Sequence, residues 1–155
     1  MATSTAPFDY SAEALAKLPR HSVSVVGIVV NPDGRVLAIR RRDNDQWQPP
    51  GGVLETHETF EEGVRREVTE ETGARVEVEH LTGLYKNVKA GIVAATFRCR
   101  PLTEPASETD EAAEVAWIRQ EDVVRLMTPT FVARVLDAFE PAPKVRSHDG
   151  TNLLD

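Results

Sequence analysis

Apolar positions along the chain follow two rhythms. Ser22 to Val30 is β-branched and apolar almost without a break, as expected of a buried strand. Asn31-Pro32-Asp33-Gly34 then reads as a turn. Arg35 to Arg41 resumes the apolar run, so the two strands are expected to pair as a hairpin. Further on, Arg75 to Glu79 alternates with Val76 and Val78 on one face. Leu81 to Lys86, Gly91 to Arg100 and Glu114 to Arg119 read as further strands. Pro101 to Asp110 is polar, acidic and carries two prolines, which makes it a loop.

The helical rhythm is clearest after Thr59. Phe60, Val64 and Val68 recur every four residues and give one apolar edge. Thr59-Phe60-Glu61-Glu62 has the form of a capping box. Gly73 supplies a stop, since it adopts the left-handed conformation readily. Shorter helices are expected within 8–20, ended by Pro19, and over Gln120 to Met127. Thr130 to Phe139 should form another, with Phe131, Val135, Leu136 and Phe139 as its apolar face. From Glu140 the chain is Pro-rich and then polar, which predicts a loosely ordered tail or an arm docking on a partner subunit. The expected organisation is an N-terminal extension over 1–20, one domain over 21–140 and a C-terminal tail over 141–155. Periodicity alone gives α plus β.

Chemistry concentrates on the helix after Thr59. Glu67, Glu70 and Glu71 stand at i, i+3 and i+4, on one side of it. Like charges so placed repel one another, so the chain either leaves them in water or uses them to hold a cation. Hard divalent cations take oxygen ligands of this kind. An acidic pair on a helix is most often a solvated face, and the spacing of the whole stretch decides against that here. Gly52, Glu58, Arg66, Glu67, Val68, Glu70, Glu71, Gly73 and Ala74 resemble, without a departure, the box of the Nudix hydrolase (MutT-like) family. The flanking chain is similar too: a strand ending in Arg, a Trp, and Pro-Gly-Gly leading into the box.

The resemblance implies an α/β/α sandwich with a central mixed sheet and a loop–helix–loop catalytic motif. It implies a metal-dependent pyrophosphohydrolase that cleaves the phosphoanhydride of a nucleoside diphosphate linked to another moiety: a nucleotide, a nucleotide sugar or a modified nucleoside triphosphate. Glu67, Glu70 and Glu71 would bind Mg²⁺, with Mn²⁺ as an alternative, helped by the carbonyl of Gly51 or Gly52. Arg66 and Glu58 would orient those carboxylates, and one of these glutamates, or an acid from another loop, would serve as general base. A further acid is expected from the loop before the Trp-Ile strand. Glu108, Asp110, Glu111 and Glu114 are available, and Glu111 is favoured. Arg40 and Arg41 point to opposite faces of a strand, so only one can contact substrate phosphate. Trp47 either stacks on a nucleobase or packs against the sheet.

Composition narrows the choice. The chain has 155 residues, 41% hydrophobic and 28% charged, with net charge −7. That fits one globular domain and speaks against nucleic acid as partner. No apolar run is long enough to cross a membrane. Met1 to Pro7 lacks the basic start and apolar core of a secretory signal. Cys99 is alone and lies in a strand-like run, so it reads as a buried small hydrophobe. These features together predict a cytoplasmic protein, with room for a homodimer. His21, His57, His80 and His148 show no spacing that suggests a zinc site. The competing expectation is a non-catalytic Nudix-like domain that senses a nucleotide. Such domains typically lose box carboxylates, and all are present here.

Overall fold

The computed structural model describes residues 8–154. Met1–Pro7, on which the reading of the N-terminus rests, lie outside the described residues. The strand β1 (Ser22–Val29) explains most of the architecture. Its side chains alternate, and both faces are buried. Val25 and Val29 enter one apolar cluster, while Val26 and Ile28 enter another. β2 (Val36–Arg41) does the same, with Leu37 and Ile39 in the first cluster and Val36 and Ala38 in the second. Two strands with no polar face require cover on both sides, and helices supply it. The helix α2 (Phe60–Thr72) brings Val64 and Val68 to the first cluster. Behind the second stand α3 (Gln120–Leu126) and α4 (Pro129–Asp137), through Val123, Val135 and the following Ala138. An α-carbon substituent at Gly27 would lie 2.7 Å from Val68 Cγ2, so the glycine lets α2 close onto β1.

The remaining strands are β3 (Trp47–Gln48), β4 (Gly51–Val53), β5 (Val76–Asn87), β6 (Ile92–Pro101), β7 (Ala112–Ile118), β8 (Lys144–His148) and β9 (Leu153–Leu154). A six-stranded mixed sheet runs β4-β1-β6-β5-β8-β9, and an antiparallel sheet runs β3-β2-β7. The fold is therefore the mixed α/β arrangement that the resemblance implied.

Three local expectations differ from the structure. β1 and β2 do not form a hairpin. A single bridge, Val30 to Val36, joins them, and each goes to its own sheet. The edges of β1 are taken by β4 and β6, those of β2 by β3 and β7. The N-terminal helix α1 (Ala12–Ala16) is capped by Ser11 and stops before Pro19; it buries no residue, so only local bonds support it. Leu136 is exposed, whereas Val132 packs against the second cluster. The inward stripe runs through Phe131, Val132 and Val135 of α4 and on to Ala138 and Phe139 after it, and Leu136 sits about 100° away from Val135.

The largest difference is the segment after Glu140, which is no loose tail. β8 pairs in parallel with β5, Gly83 to Lys144 through Asn87 to His148. Asp137, buried at the end of α4, fixes it there. Arg146 donates to both Asp137 oxygens, at 2.7 and 2.8 Å, and the Tyr85 hydroxyl donates to the same carboxylate at 2.7 Å. Burial works against the Asp137 anion, yet Arg146 and Tyr85 together hold its pKa below the ordinary carboxylate value.

Candidate active site

The helix α2 is set by its ends. Thr59 accepts from the Glu62 N–H while the Glu62 carboxylate accepts from the Thr59 N–H, and Gly73 closes the helix at φ 77°. Its buried edge faces β1 and β4. Gly51 and Gly52 bring the β4 backbone against it. A substituent at Gly52 would fall 2.6 Å from the Glu67 carboxylate, so any side chain there would displace that carboxylate. The Gly51 N–H donates to Glu71 Oε2 at 3.2 Å.

Glu67 and Glu71 are both buried, 9% and 5% exposed. Burial raises the Glu67 pKa despite Arg66. It pushes Glu71 up to about 8, against the Gly51 N–H bond and with repulsion from Glu67 and Glu111 added. Arg66 organises the acids around it. Its guanidinium forks onto Glu58 at 2.6 and 2.7 Å, reaches Glu67 at 2.7 Å and Glu70 at 3.3 Å, and donates to the Val53 carbonyl at 3.1 Å. That fork holds the Glu58 carboxyl down at about 2. Glu58 also accepts from the Glu55 N–H at 2.9 Å.

A cleft of about 600 Å³ opens beside these residues. Its walls carry Asp43, Glu55, Glu67, Glu71, Asp110 and Glu111, together with Arg41, Arg42, Gln48, Gly51 and Gly52. Glu67, Glu71, Glu111 and Gly52 are thus brought together. Glu70 is not among them. It stands more than half exposed beyond Arg66, in a neighbouring depression with Thr69 and Leu102.

Of the two strand-end arginines, Arg41 faces the cleft, where it also bonds Asp43. Arg40 points the other way, ion-paired with Asp45 and Glu114. The Trp47 ring packs against the second apolar cluster and lines neither the cleft nor the pocket next to it. Cys99 is fully buried, with its thiol pushed up to about 12 by that burial.

Several supporting residues carry no sequence signal of their own. The Arg42 N–H donates to the Glu111 carbonyl at 3.0 Å, its Nε to the Thr109 carbonyl at 3.0 Å, and its Nη2 to Glu108 at 2.8 Å. The Thr109 hydroxyl donates to the Glu71 carbonyl at 2.9 Å. The acidic loop is therefore pinned between the end of β2 and the end of α2, which delivers Glu111 to the cleft. The contributions of Asp43 and Glu55 are also absent from any motif.

The donor set suits a hard divalent cation. Only carboxylate and carbonyl oxygens are offered. Two of the carboxylates are buried close to a third, which costs least when a positive charge sits between them. Among the described residues, no three acidic, His or Cys side chains are already drawn tightly enough to grip an ion. Arg66 holds Glu67 and Glu70, and an arriving cation competes with it for them. None of the helices among the described residues is long and apolar enough to cross a membrane.

Residues 20–139 match the family model described as the NUDIX domain. The chain is 54% identical over 137 residues to a MutT-like protein of Streptomyces ambofaciens, covering 88% of this chain and 89% of that one. It is 36% identical over 117 residues to an ADP-ribose pyrophosphatase of Methanocaldococcus jannaschii, covering 71% and 69%. A solved NUDIX hydrolase from Nitrosomonas europaea superposes with a TM-score of 0.72 at 22% identity, covering 84% of this chain and 81% of that one. At that identity the likeness speaks for the fold.

Proposed function

This chain belongs to the Nudix hydrolase family, and we propose that it hydrolyses the phosphoanhydride of a nucleoside diphosphate linked to a second moiety, with Mg²⁺ or Mn²⁺ as cofactor. The observation that carries the reading is the pair of buried carboxylates, Glu67 and Glu71, set against Gly51-Gly52 on a cleft that also presents Arg41. Glu67, Glu71 and Glu111 would hold the cation, and Glu70 joins them only by giving up Arg66. Once bound, the cation neutralises phosphate oxygens and lowers the pKa of a coordinated water.

The remaining work falls to the chain's own side chains. Arg41, whose Nε and Nη2 bond Asp43, offers its remaining N–H groups to a phosphate oxygen and steadies the charge that spreads there in the transition state. Arg66, tied to Glu58, keeps the Glu67 carboxylate aimed at the cleft. The Arg42–Thr109 bonds hold the loop acids opposite α2. A cleft carboxylate takes the proton of the attacking water.

The Methanocaldococcus jannaschii relative puts ADP-ribose first in a substrate panel, followed by nucleotide sugars and by ordinary and oxidised nucleoside triphosphates. Each is incubated with MgCl₂ and the products are separated by chromatography. The expected result is a nucleoside monophosphate plus a second phosphate-bearing product, or pyrophosphate, from at least one member. EDTA should abolish the reaction. Undiminished turnover in EDTA, or no turnover of any member with either metal, contradicts the proposal.

A further inference from the structure

Behind Gly51-Gly52 lies a second pocket, of about 330 Å³. It shares Arg41, Gln48, Gly51 and Gly52 with the acidic cleft, so one ligand can span both. No Asp or Glu lines it. Its inner wall carries Arg134 from α4 and His148 from β8. His148 lies beyond residue 139, where the match to the family model ends.

Arg134 is only 8% exposed and its Nε is buried without a hydrogen-bond partner. The faces of Tyr85 and Phe131 lie 5.3 and 5.1 Å from the guanidinium carbon and relieve part of the cost of burying the charge. They accept no N–H bond at Nε. His148 sharpens the imbalance. The Gly150 N–H donates to His148 Nδ1 at 3.0 Å. A neutral imidazole has one acceptor nitrogen, so Nε2 carries the proton. That Nε2 faces Arg134 Nη2 at 3.3 Å, and a guanidinium has only donors. Two donors therefore confront each other at the wall of a pocket without carboxylates, and the same guanidinium has a third donor, Nε, buried and unpaired behind them. An oxygen acceptor placed at that wall would satisfy the facing pair.

We propose that Arg134 and His148 form an oxygen-acceptor subsite for the part of the substrate that lies away from the acidic cleft. The inference rests on the reading of that cleft as the hydrolytic site. The shared chemistry is a pair of oxygen or ring-nitrogen acceptors matched to a guanidinium edge. A 6-oxopurine offers such a pair through O6 and N7, and a terminal phosphate offers it through two oxygens. A 6-aminopurine places a donor where the carbonyl would be.

Titration calorimetry in EDTA with GMP, AMP and ribose 5-phosphate separates these sources without requiring turnover. If the base carbonyl occupies the subsite, GMP binds the wild type about tenfold or more tighter than AMP. Arg134→Met then abolishes that preference and His148→Gln reduces it. If a phosphate occupies it, ribose 5-phosphate binds the wild type and loses about tenfold in both variants. Wild-type melting behaviour certifies that each variant is folded, and Arg134→Lys replaces Arg134→Met if the latter fails that check. Equal affinities in the wild type and the folded variants for all three probes overturn the proposal, as does no wild-type binding at millimolar probe. Metal-dependent turnover with kcat and KM unmoved in the variants would also overturn the subsite, while leaving the hydrolase reading intact. Absence of turnover in the wild type would instead strike the hydrolase reading alone.

Discussion

The two hollows on either side of Gly51-Gly52 share a wall and have opposite needs. The cleft beside α2 is lined by six carboxylates and two arginines. The pocket beside α4 and β8 has Arg41 and Arg134 and no carboxylate. A net charge of −7 describes neither. The first is short of positive charge and the second faces Arg134 with no carboxylate, so the proposed substrate, with a metal-chelated diphosphate and an oxygen-bearing remainder, would complement both. The lesson is that charge is organised over distances of one or two side chains, and a chain-wide sum averages it away.

The most severe way to break the comparison is to remove an acid that only the first hollow needs. Glu71→Gln should lower kcat by at least about 10²-fold at saturating Mg²⁺, the low end for a positioned acid–base or metal-holding group. The fold should persist, because the buried carboxylate opposes folding when ionised. Steady-state kinetics beside a melting curve check both halves. Near-wild-type kcat would remove Glu71 from the site.

A smaller effect should follow from loosening β8, which serves only the second hollow. Asp137→Asn weakens the bonds from Arg146 and Tyr85, for a cost of about 1–3 kcal/mol. The melting midpoint should fall by several degrees, and KM should rise more than kcat falls. A variant that melts as the wild type would mean the strand is held by its sheet pairing alone. The shared wall gives a third contrast. Arg41→Ala should reduce kcat/KM by about tenfold, the scale of one charge-assisted hydrogen bond, and Arg40→Ala much less. Equal losses would contradict the assignment of Arg41 to the cleft.

The broadest effect is on pH. In the metal-free protein the folded pKa of Glu71 is raised from 4.5 to about 8. Its contribution is fully present below the unfolded value and is lost as pH rises through the folded one. Metal-free stability should therefore decline from about pH 4.5 to about pH 8, and Glu71→Gln should flatten that slope. Melting across the range, with EDTA throughout, measures it. A midpoint independent of pH in the wild type would show that Glu71 titrates normally.

The same two hollows differ in how far the sequence revealed them. The first was legible because its parts are local. The capping box, the glycine stop and the i, i+3, i+4 acids all lie within a few turns of one helix. Even there, adjacency could not say that Arg66 would bridge Glu67 and Glu70 and leave Glu70 outside the cleft, or that Arg42 would pin the loop carrying Glu111. The second hollow depends on pairings between distant segments. Lys144 to His148 reads as polar tail because Val145 points to solvent while Arg146 and His148 turn inward, the reverse of an ordinary strand. Arg146 is held there by Asp137, which Tyr85 also bonds, and no local pattern announces such partners. The missed hairpin has a related cause. Two fully apolar runs across a tight turn satisfy the hairpin pattern, but strands buried on both faces are paired by whatever the rest of the chain brings to their edges.

The central claim is that the acidic cleft is built for a divalent cation. The most direct measurement is the thermal melting of wild type and Glu71→Gln in EDTA, in MgCl₂, and in NaCl of matched ionic strength. The account predicts that MgCl₂ stabilises the wild type beyond NaCl, by about 2.7 kcal/mol at a hundredfold excess over Kd, and that the gain shrinks in Glu71→Gln. Identical MgCl₂ and NaCl curves for the wild type would show an acidic face that is merely screened by salt, and would contradict the claim.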